Sequence, residues 1–275
     1  MRKLFLVCAL AAFAFGQSSA QLKTEDYGIF NHLSAGVSAG TDGIGFQVAA
    51  PLTYHFAVRA GFSFMPGFKY SKSLKLGNDN IGAFKSNKVD LEGKLQMSNF
   101  SLLFDYYPFT SSSFHVTAGA YIGNSDILAV TNTNDFINLA YAGKAGIDLS
   151  KSGSTMTEKY VIITDNQGNV KADLKVNGFK PYLGIGFGRA VPRKRIGVQF
   201  DLGVQFWGKP EAQTNLMYYD SSVGDFVTRY EKVQKGRITR SHEDSDYKDV
   251  RDALKTIEAI GVYPVLTFRL NGRIF

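Results

Sequence analysis

Five charged residues stand in segments of the sequence where polar and apolar residues alternate. They are Arg59, Asp105, Asp201, Arg269 and Arg273, and all five fall on the polar side of the alternation. Side chains of a β-strand point alternately to its two faces, so these residues share the polar faces of their strands. Charged groups taken out of water need partners, because an unpaired buried charge is costly. We therefore predict an interior network of ion pairs.

Other residues that could support catalysis or metal binding form no recognisable site. The four histidines, His32, His55, His115 and His242, lie in different segments without the spacing of metal ligands. The glycines of segment 184–188 lack the spacing of a dinucleotide-binding loop and lie within a predicted strand. No basic and aromatic face for nucleic acid is found. The sequence thus predicts no cofactor, no metal, no nucleic-acid partner and no enzymatic activity.

The elements that must position the charged residues are eight segments with a period of two. They are 33–39, 44–50, 56–68, 99–106, 114–122, 182–188, 196–206 and 263–275. A soluble sandwich would also alternate. However, these runs last about ten residues, the length of a tilted membrane strand rather than the usual five or six. Their polar faces are rich in glycine and carry charges, as expected for a narrow polar lumen.

The connections alternate in length as regularly as the residues alternate in polarity. Short connections with proline follow the second, fourth and sixth strands, and long connections of 70–93, 125–178 and 209–261 follow the third, fifth and seventh. Outer-membrane barrels have this layout, with the short turns in the periplasm. We predict an all-β, antiparallel, up-and-down transmembrane β-barrel of eight strands with long extracellular loops. An even number of strands then places both termini in the periplasm.

The N-terminal residues are typical of an export signal. Arg2 and Lys3 precede an unbroken apolar stretch, 4–15, which is too short to span a bilayer, and small residues follow up to Ala20. Residues 1–20 are therefore predicted to be a cleaved signal peptide, and residues 21–275 the barrel domain. Cys8, the single cysteine of the 275 residues, interrupts the apolar stretch rather than closing it, which argues against a lipoprotein.

The composition alone would suggest an ordinary soluble, basic protein. The net charge is +7 and 44% of the residues are hydrophobic, and the mean hydropathy is −0.10. A helical membrane protein needs runs of about 20 apolar residues and is excluded. A mean hydropathy near zero is also expected when a lipid-facing apolar surface is averaged with a polar lumen and hydrophilic loops, so the composition is compatible with a barrel.

Aromatic residues are predicted to form two rings where the barrel meets the membrane interfaces. Amphipathic rings favour the boundary between lipid and water. The predicted interface aromatics are Tyr54, Tyr106 and Tyr107 beside the short connections, and Phe68, Tyr70, Trp207 and Tyr263 at the other end.

With these patterns the sequence resembles the small outer-membrane β-barrels of Gram-negative bacteria, the OmpA-like and OmpX-like eight-stranded type. The resemblance covers nearly all of residues 21–275. The last strand, 263–275, alternates and ends in an aromatic residue, like the assembly signal of that family. It departs from the signal in two ways. The alternating apolar positions of the strand include Ile274, so the terminal Phe275 is out of phase with them, and Gly272 stands where an aromatic residue is usual. The resemblance implies a porin-like barrel of the cell envelope.

The long loops contain further predicted elements. Segments 159–164 and 170–176 read as a hairpin that projects above the membrane; ten spanning strands is the alternative. Segments 216–220 and 226–233 read as a second hairpin. A helix is predicted over 245–259 because its apolar residues recur at intervals of three and four, forming one stripe. The stripe consists of Tyr247, Val250, Leu254 and Ile257. We expect it to pack within the loops or over the lumen; the alternative is binding to a partner or to the outer leaflet.

Three classes of function remain open. We favour a structural or loop-displaying surface barrel, closed by its lumen side chains, that contacts outer-membrane lipid and an envelope or extracellular protein partner. The second class is a narrow conduit for small solutes. The third is a lipid-modifying enzyme such as a lipid A deacylase or palmitoyltransferase. That class is disfavoured because the sequence offers no evident serine and acid partner for His115 or His242 near the outer rim.

Overall fold

The structure is a computed structural model that describes residues 26–75, 83–86, 88–150, 154–234, 237–238 and 261–275. The predicted signal peptide and the predicted loop helix, with its stripe Tyr247, Val250, Leu254 and Ile257, lie outside the described residues. Within the described part of the chain, no helix is long and apolar enough to cross a membrane.

The described residues form fourteen β-strands and two short 3-10 helices. The strands are β1 Ser34–Gly40, β2 Gly43–Pro51, β3 Phe56–Lys75, β4 Lys88–Tyr106, β5 Phe114–Gly123, β6 Asp126–Asn132, β7 Gly146–Asp148, β8 Tyr160–Ile163, β9 Lys171–Lys175, β10 Phe179–Phe187, β11 Ile196–Phe206, β12 Glu211–Asp220, β13 Asp225–Lys232 and β14 Val262–Arg273. The 3-10 helices are Leu139–Tyr141 and Met156–Glu158.

Eight of the strands close into an antiparallel ring. The ring runs β3-β2-β1-β14-β11-β10-β5-β4, and the pairing of β3 with β4 completes it. Pairing of β1 with β14 joins the first strand to the last. The predicted all-β antiparallel barrel of eight strands is therefore confirmed, and the ten-strand alternative is wrong. We call the end with the connections after β2, β4 and β10 the turn end, and the opposite end the loop end.

The two faces of the barrel strands differ in the way the alternation predicts. Val48 and Phe62 point outward and are each 48% exposed, and Phe268 is 54% exposed. Residues of the opposite parity, such as Arg59 and Thr267, are buried inside the ring. The apolar surface is therefore on the outside of the barrel and the polar surface is in its lumen.

At the loop end the barrel continues into a second layer of strands, which we call the loop sheet. β3 and β4 extend beyond the ring, and β6, β9, β12, β13, β8 and β7 are added beside them. The predicted pairing of the segments around 221–225 is confirmed as β12 with β13. The described residues of the long connections thus contain the strands of an ordered sheet. Fully buried Val89, Phe136 and Leu216 belong to a separate apolar core of this sheet.

The other predicted loop hairpin is wrong. β8 and β9 do not pair with each other; both lie antiparallel to β12, with β9 along its first residues and β8 further on. The intervening residues 164–170 leave the sheet as an excursion between two collinear strands. From the sequence, two short apolar runs around a turn look the same whether they pair with each other or each pair with another strand. Here both runs pair with β12, which is distant in sequence.

Candidate functional site in the barrel lumen

Five titratable side chains from five barrel strands meet in the lumen, towards the turn end. We call them the ionic layer: Arg59 on β3, Asp105 on β4, His115 on β5, Asp201 on β11 and Arg269 on β14. All five are at most 5% exposed. The strand register brings them to neighbouring levels. Asp105 lies opposite Thr117, and Gly186 on β10 lies opposite both His115 and Asp201.

Arg59 holds the centre of the ionic layer. Its Nη2 lies 2.7 Å from Oδ1 of Asp105, and its Nη1 lies 3.0 Å from Oδ2 of Asp201. Arg269 also contacts Oδ2 of Asp201. The Thr117 hydroxyl donates to Oδ1 of Asp105 over 2.7 Å. Two guanidinium groups thus face two carboxylates, so the charges of the arginines and the aspartates balance.

His115 belongs to this layer, although the predicted ionic network did not include it. Its Nε2 lies 2.6 Å from Oδ1 of Asp201, and its Nδ1 lies 3.3 Å from the Ser113 carbonyl oxygen. Its position on the polar parity of β5 was the available signal. Gly186 makes room for the pair, because a Cβ there would lie 2.5 Å from Asp201 Oδ1 and 2.6 Å from His115 Nε2. In the described part of the chain, no hydroxyl nucleophile is hydrogen-bonded to His115.

Arg273 does not join the ionic layer, which corrects the predicted network. β14 carries it two residues beyond Asn271, to the turn end. There its Nη1 donates to the Arg193 carbonyl oxygen over 2.8 Å. Asn271 takes the lumen position instead and donates to Oε1 of Gln199 over 3.1 Å. The alternation along the strand predicts on which face of β14 Arg273 lies, but it does not predict how far along the barrel axis the side chain lies.

An aromatic layer lies beside the ionic layer on the side of the loop end. The rings of Tyr121 and Tyr182 meet edge to face with centroids 5.4 Å apart, and buried Leu103 and Val265 pack against them. A Cβ on Gly203 would lie 2.4 Å from the Tyr182 hydroxyl oxygen. Glycine in the polar face of β11 therefore makes space for a large lumen side chain.

The loop end of the lumen is also filled. Trp207 stacks on Tyr263 with ring centroids 4.5 Å apart, among buried Met65 and Met97. Nearby, the fully buried ammonium of Lys180 donates to Asn99 Oδ1 over 2.8 Å and to the Asn124 carbonyl oxygen over 3.0 Å.

The turn end of the lumen is closed by an aromatic lid around Arg189. Its guanidinium carbon lies 4.1 Å from the ring centre of Tyr54, 4.4 Å from that of Tyr107 and 5.3 Å from that of Tyr27. Such stacking of a cation on aromatic faces is favourable, more so when water is excluded. Arg189 Nη1 also donates to the Tyr54 carbonyl oxygen over 3.1 Å.

The predicted interface aromatics divide into two groups. Phe68, Tyr70 and Tyr106 are exposed on the outside, whereas Tyr54, Tyr107 and Trp207 are buried inside. Tyr263 is half-buried against Trp207. The prediction of an outward position is therefore wrong for Tyr54, Tyr107 and Trp207. Tyr107 and Trp207 directly follow β4 and β11 and keep the inward parity of those strands.

The arrangement of the described side chains fills the lumen of the barrel. Over the described residues there is no cluster of three or more histidine, cysteine or acidic side chains that could hold a metal ion. What the layers provide is a stack of paired charges, aromatic rings and apolar groups from one end of the barrel to the other.

Solved structures similar to this chain include two crystal structures of proteins from Acinetobacter baumannii. The crystal structure of Acinetobacter baumannii CarO is 17% identical with a TM-score of 0.46, covering 87% of this chain and 96% of that one. That of Acinetobacter baumannii CarO2 is 15% identical with a TM-score of 0.43, covering 88% of this chain and 98% of that one. No protein-family model matches the sequence. No curated protein matches it either.

Proposed function

We propose that this chain is an outer-membrane β-barrel whose lumen is closed by side chains and whose loop sheet serves a structural or binding role at the cell surface. In this proposal the chain is exported through a cleaved signal peptide, and both termini and the turn end face the periplasm. The observation that carries the proposal is the continuous filling of the lumen by the ionic layer and the aromatic and apolar groups on either side of it.

The apolar outer surface supports the membrane location. Large apolar side chains are exposed all round the ring, including Val37, Phe46, Phe104, Leu183 and Leu202. Soluble monomers rarely expose contiguous apolar patches larger than a few hundred Å². A closed barrel satisfies every backbone hydrogen bond within itself, which a lipid environment requires.

The number of strands supports a closed lumen. A barrel of eight strands has an interior just wide enough for side chains to fill. Here Arg59, Tyr107, Tyr121 and Lys180, all long side chains, are each less than 2% exposed. A conducting pathway would have to displace the Arg59 ion pairs with both aspartates.

The loop sheet supports a role in binding. Its own apolar core, which includes Tyr160 and Leu216, makes it a fixed platform above the barrel rather than a set of independent loops. Binding residues are often carried by segments that a rigid scaffold positions. We propose an envelope or extracellular protein as the partner and outer-membrane lipid around the barrel, with no catalytic step.

Planar bilayer recording tests the closed lumen. Purified, folded protein should insert without steady single-channel current, whereas a stable large conductance would contradict closure and favour a conduit. A mass shift of lipid A after incubation with the protein would contradict the absence of catalysis.

Gel mobility tests the membrane barrel separately. Membrane-extracted protein should migrate differently before and after boiling, because a folded barrel resists the detergent. Recovery in the soluble periplasmic fraction, or an unchanged mobility, would overturn the membrane location.

A further inference from the structure

A cationic pocket of about 320 Å³ opens at the turn end, outside the lumen layers. It lies between the connection that follows β4 and the connection that follows β10. The residues that matter for its chemistry are the hydroxyl run Ser111–Ser113 and the cations Arg189, Arg193 and Lys194.

The pocket has no counter-charge of its own. None of the residues that line it is acidic. In the ionic layer, by contrast, both guanidinium groups contact an aspartate. Across the described ranges, Arg189, Arg193 and Lys194 form no ion pair with a carboxylate. Three cations around one cavity repel each other, so an anion between them would be stabilising.

Arg189 and Arg193 are both held in place by other residues, and each has an N–H group without a hydrogen-bond partner among the described residues. The Nη2 of Arg193 contacts the Tyr54 hydroxyl and donates to the Thr110 carbonyl oxygen over 2.9 Å. Arg189 is 8% exposed and stacked in the aromatic lid. Yet Nη2 of Arg189 and Nε of Arg193 are buried with no hydrogen-bond partner among the described residues. Buried donors normally have partners, so these two N–H groups can donate to an anion that enters the pocket.

We propose that this turn-end pocket binds a phosphate group. Guanidinium forks match the geometry and charge of phosphate, and hydroxyl groups add neutral donors around it. A phosphate ester with one or two negative charges suits three cations better than a single carboxylate does. The volume lies at the lower limit of ordinary small-ligand sites, so it accommodates a phosphate and a small group attached to it.

The phosphate can come from a soluble phosphate ester or from a phospholipid headgroup. Ile196 lines both this pocket and an apolar groove of about 770 Å³ on the outer face of the barrel, which Val37, Val48 and Leu270 also line. An acyl chain in that groove would lie next to a phosphate in the pocket. The lipid source rests on the proposed membrane location, whereas recognition of the phosphate itself does not.

Isothermal titration of the folded full chain in octyl glucoside tests the site with three probes. The probes are glycerol 3-phosphate, dihexanoylphosphatidylglycerol and dihexanoylglycerol, which lacks the phosphate. We expect saturable binding of a phosphate-bearing probe and no comparable binding of dihexanoylglycerol. Binding of both phosphate compounds supports recognition of phosphate from either source. Binding of the phospholipid alone, if it depends on Lys194, supports the headgroup source.

Two pocket variants and one control complete the test. Lys194→Glu reverses an exposed charge without disturbing packing, and Arg193→Gln removes a held donor. Each should weaken binding about tenfold, the effect of losing one charged hydrogen bond. Lys88→Glu, the same reversal on β4 in the loop sheet, should leave binding unchanged. Heat-dependent gel mobility verifies folding of each variant.

Absence of saturable binding by both phosphate probes would overturn the proposal. So would unchanged binding in both pocket variants, or equally tight binding of dihexanoylglycerol. These outcomes are independent of the conductance measurement. A barrel that conducts ions can still bind phosphate at its turn end, and a barrel with a closed lumen can lack phosphate binding.

Discussion

At the scale of single residues, Arg59 is the group on which the lumen depends most. It is 1% exposed and hydrogen-bonded to Asp105, Asp201 and the Thr117 hydroxyl. Arg269 contacts only one of the two aspartates. Loss of Arg59 would therefore leave Asp105 as a buried carboxylate without a cationic partner in the described part of the chain.

We expect Arg59→Met to lower the free energy of unfolding by about 3–5 kcal/mol, because one partner of a buried ion pair is removed. Urea unfolding of the protein in detergent, followed by gel mobility, measures the change. Lys69→Gln is the matched control, since its ion pair with Glu92 is on the surface with the lysine side chain 63% exposed. An exposed pair contributes about 0–1 kcal/mol. Similar losses in the two variants would contradict the central role of Arg59.

At the scale of strands, parity decides on which side of the barrel wall an aromatic ring lies. Phe206 and Trp207 are neighbours in the chain, yet Phe206 is 42% exposed outside and Trp207 is 5% exposed inside. Successive side chains of a strand point to opposite faces, and the rule here holds one residue past the end of β11.

Fluorescence tests that placement, because Trp207 is the single tryptophan of the chain. In vesicles of brominated phospholipid, the emission of Trp207 should be quenched only weakly, since the barrel wall separates its ring from the acyl chains. The matched variant Phe206→Trp with Trp207→Phe moves the indole outside and should be quenched strongly. Equal quenching of the two proteins would show that Trp207 faces lipid.

The excursion between β8 and β9 is a second feature of this scale. Oδ1 of Asp165 accepts from the N–H groups of Gln167 and Asn169 over 2.9 Å and 2.8 Å, and Lys171 lies 3.2 Å from Oδ2. Burial acts to raise the pKa of Asp165, but these hydrogen bonds and the lysine outweigh it and hold the pKa below its usual value.

A lowered pKa in the folded state means that ionised Asp165 stabilises the excursion above the ordinary aspartate pKa of about 4. That stabilisation is lost as the pH falls through the lower, folded value. Hydrogen exchange of residues 164–170 should therefore quicken in acid relative to β12, and Asp165→Asn should show the quick exchange already at neutral pH. Asp135→Asn, at an exposed carboxylate, serves as control. Unaltered exchange in Asp165→Asn would exclude this role.

At the scale of the whole molecule, two bodies with different interiors share β3 and β4. The barrel has a polar lumen and an apolar exterior, whereas the loop sheet has an apolar interior. The barrel is held by a closed ring of backbone hydrogen bonds. The loop sheet depends on ordinary hydrophobic burial in water.

Damage to the loop sheet should therefore leave the barrel intact. Leu216 is fully buried in the loop-sheet core, and Leu216→Ala should cost that core about 2–5 kcal/mol. Limited proteolysis should then cut the loop sheet sooner, while the gel-mobility difference on boiling persists. Val223→Ala, at a side chain 59% exposed, should change neither. Loss of the folded-barrel band in Leu216→Ala would mean that the two bodies fold as one.

The sequence by itself determined the eight strands of the barrel and the face on which their charged residues lie. A period of two and the spacing of turns are local properties, so residues such as Arg59, Asp105, Asp201 and Arg269 could be assigned to the lumen without a structure. The alternation of short and long connections likewise predicted the end of the barrel at which the long loops lie.

Only the tertiary structure decided which of these residues meet. The alternation along a strand does not predict how far along the barrel axis a lumen side chain lies, or which side chain it meets across the lumen. Both depend on the stagger of the strands around the ring. That stagger places His115 beside Asp201 and leaves Arg273 at the turn end next to Arg193. For the same reason β8 and β9, which look like a hairpin in the chain, are held by β12, whose hydrogen-bonding edge lies far away in sequence.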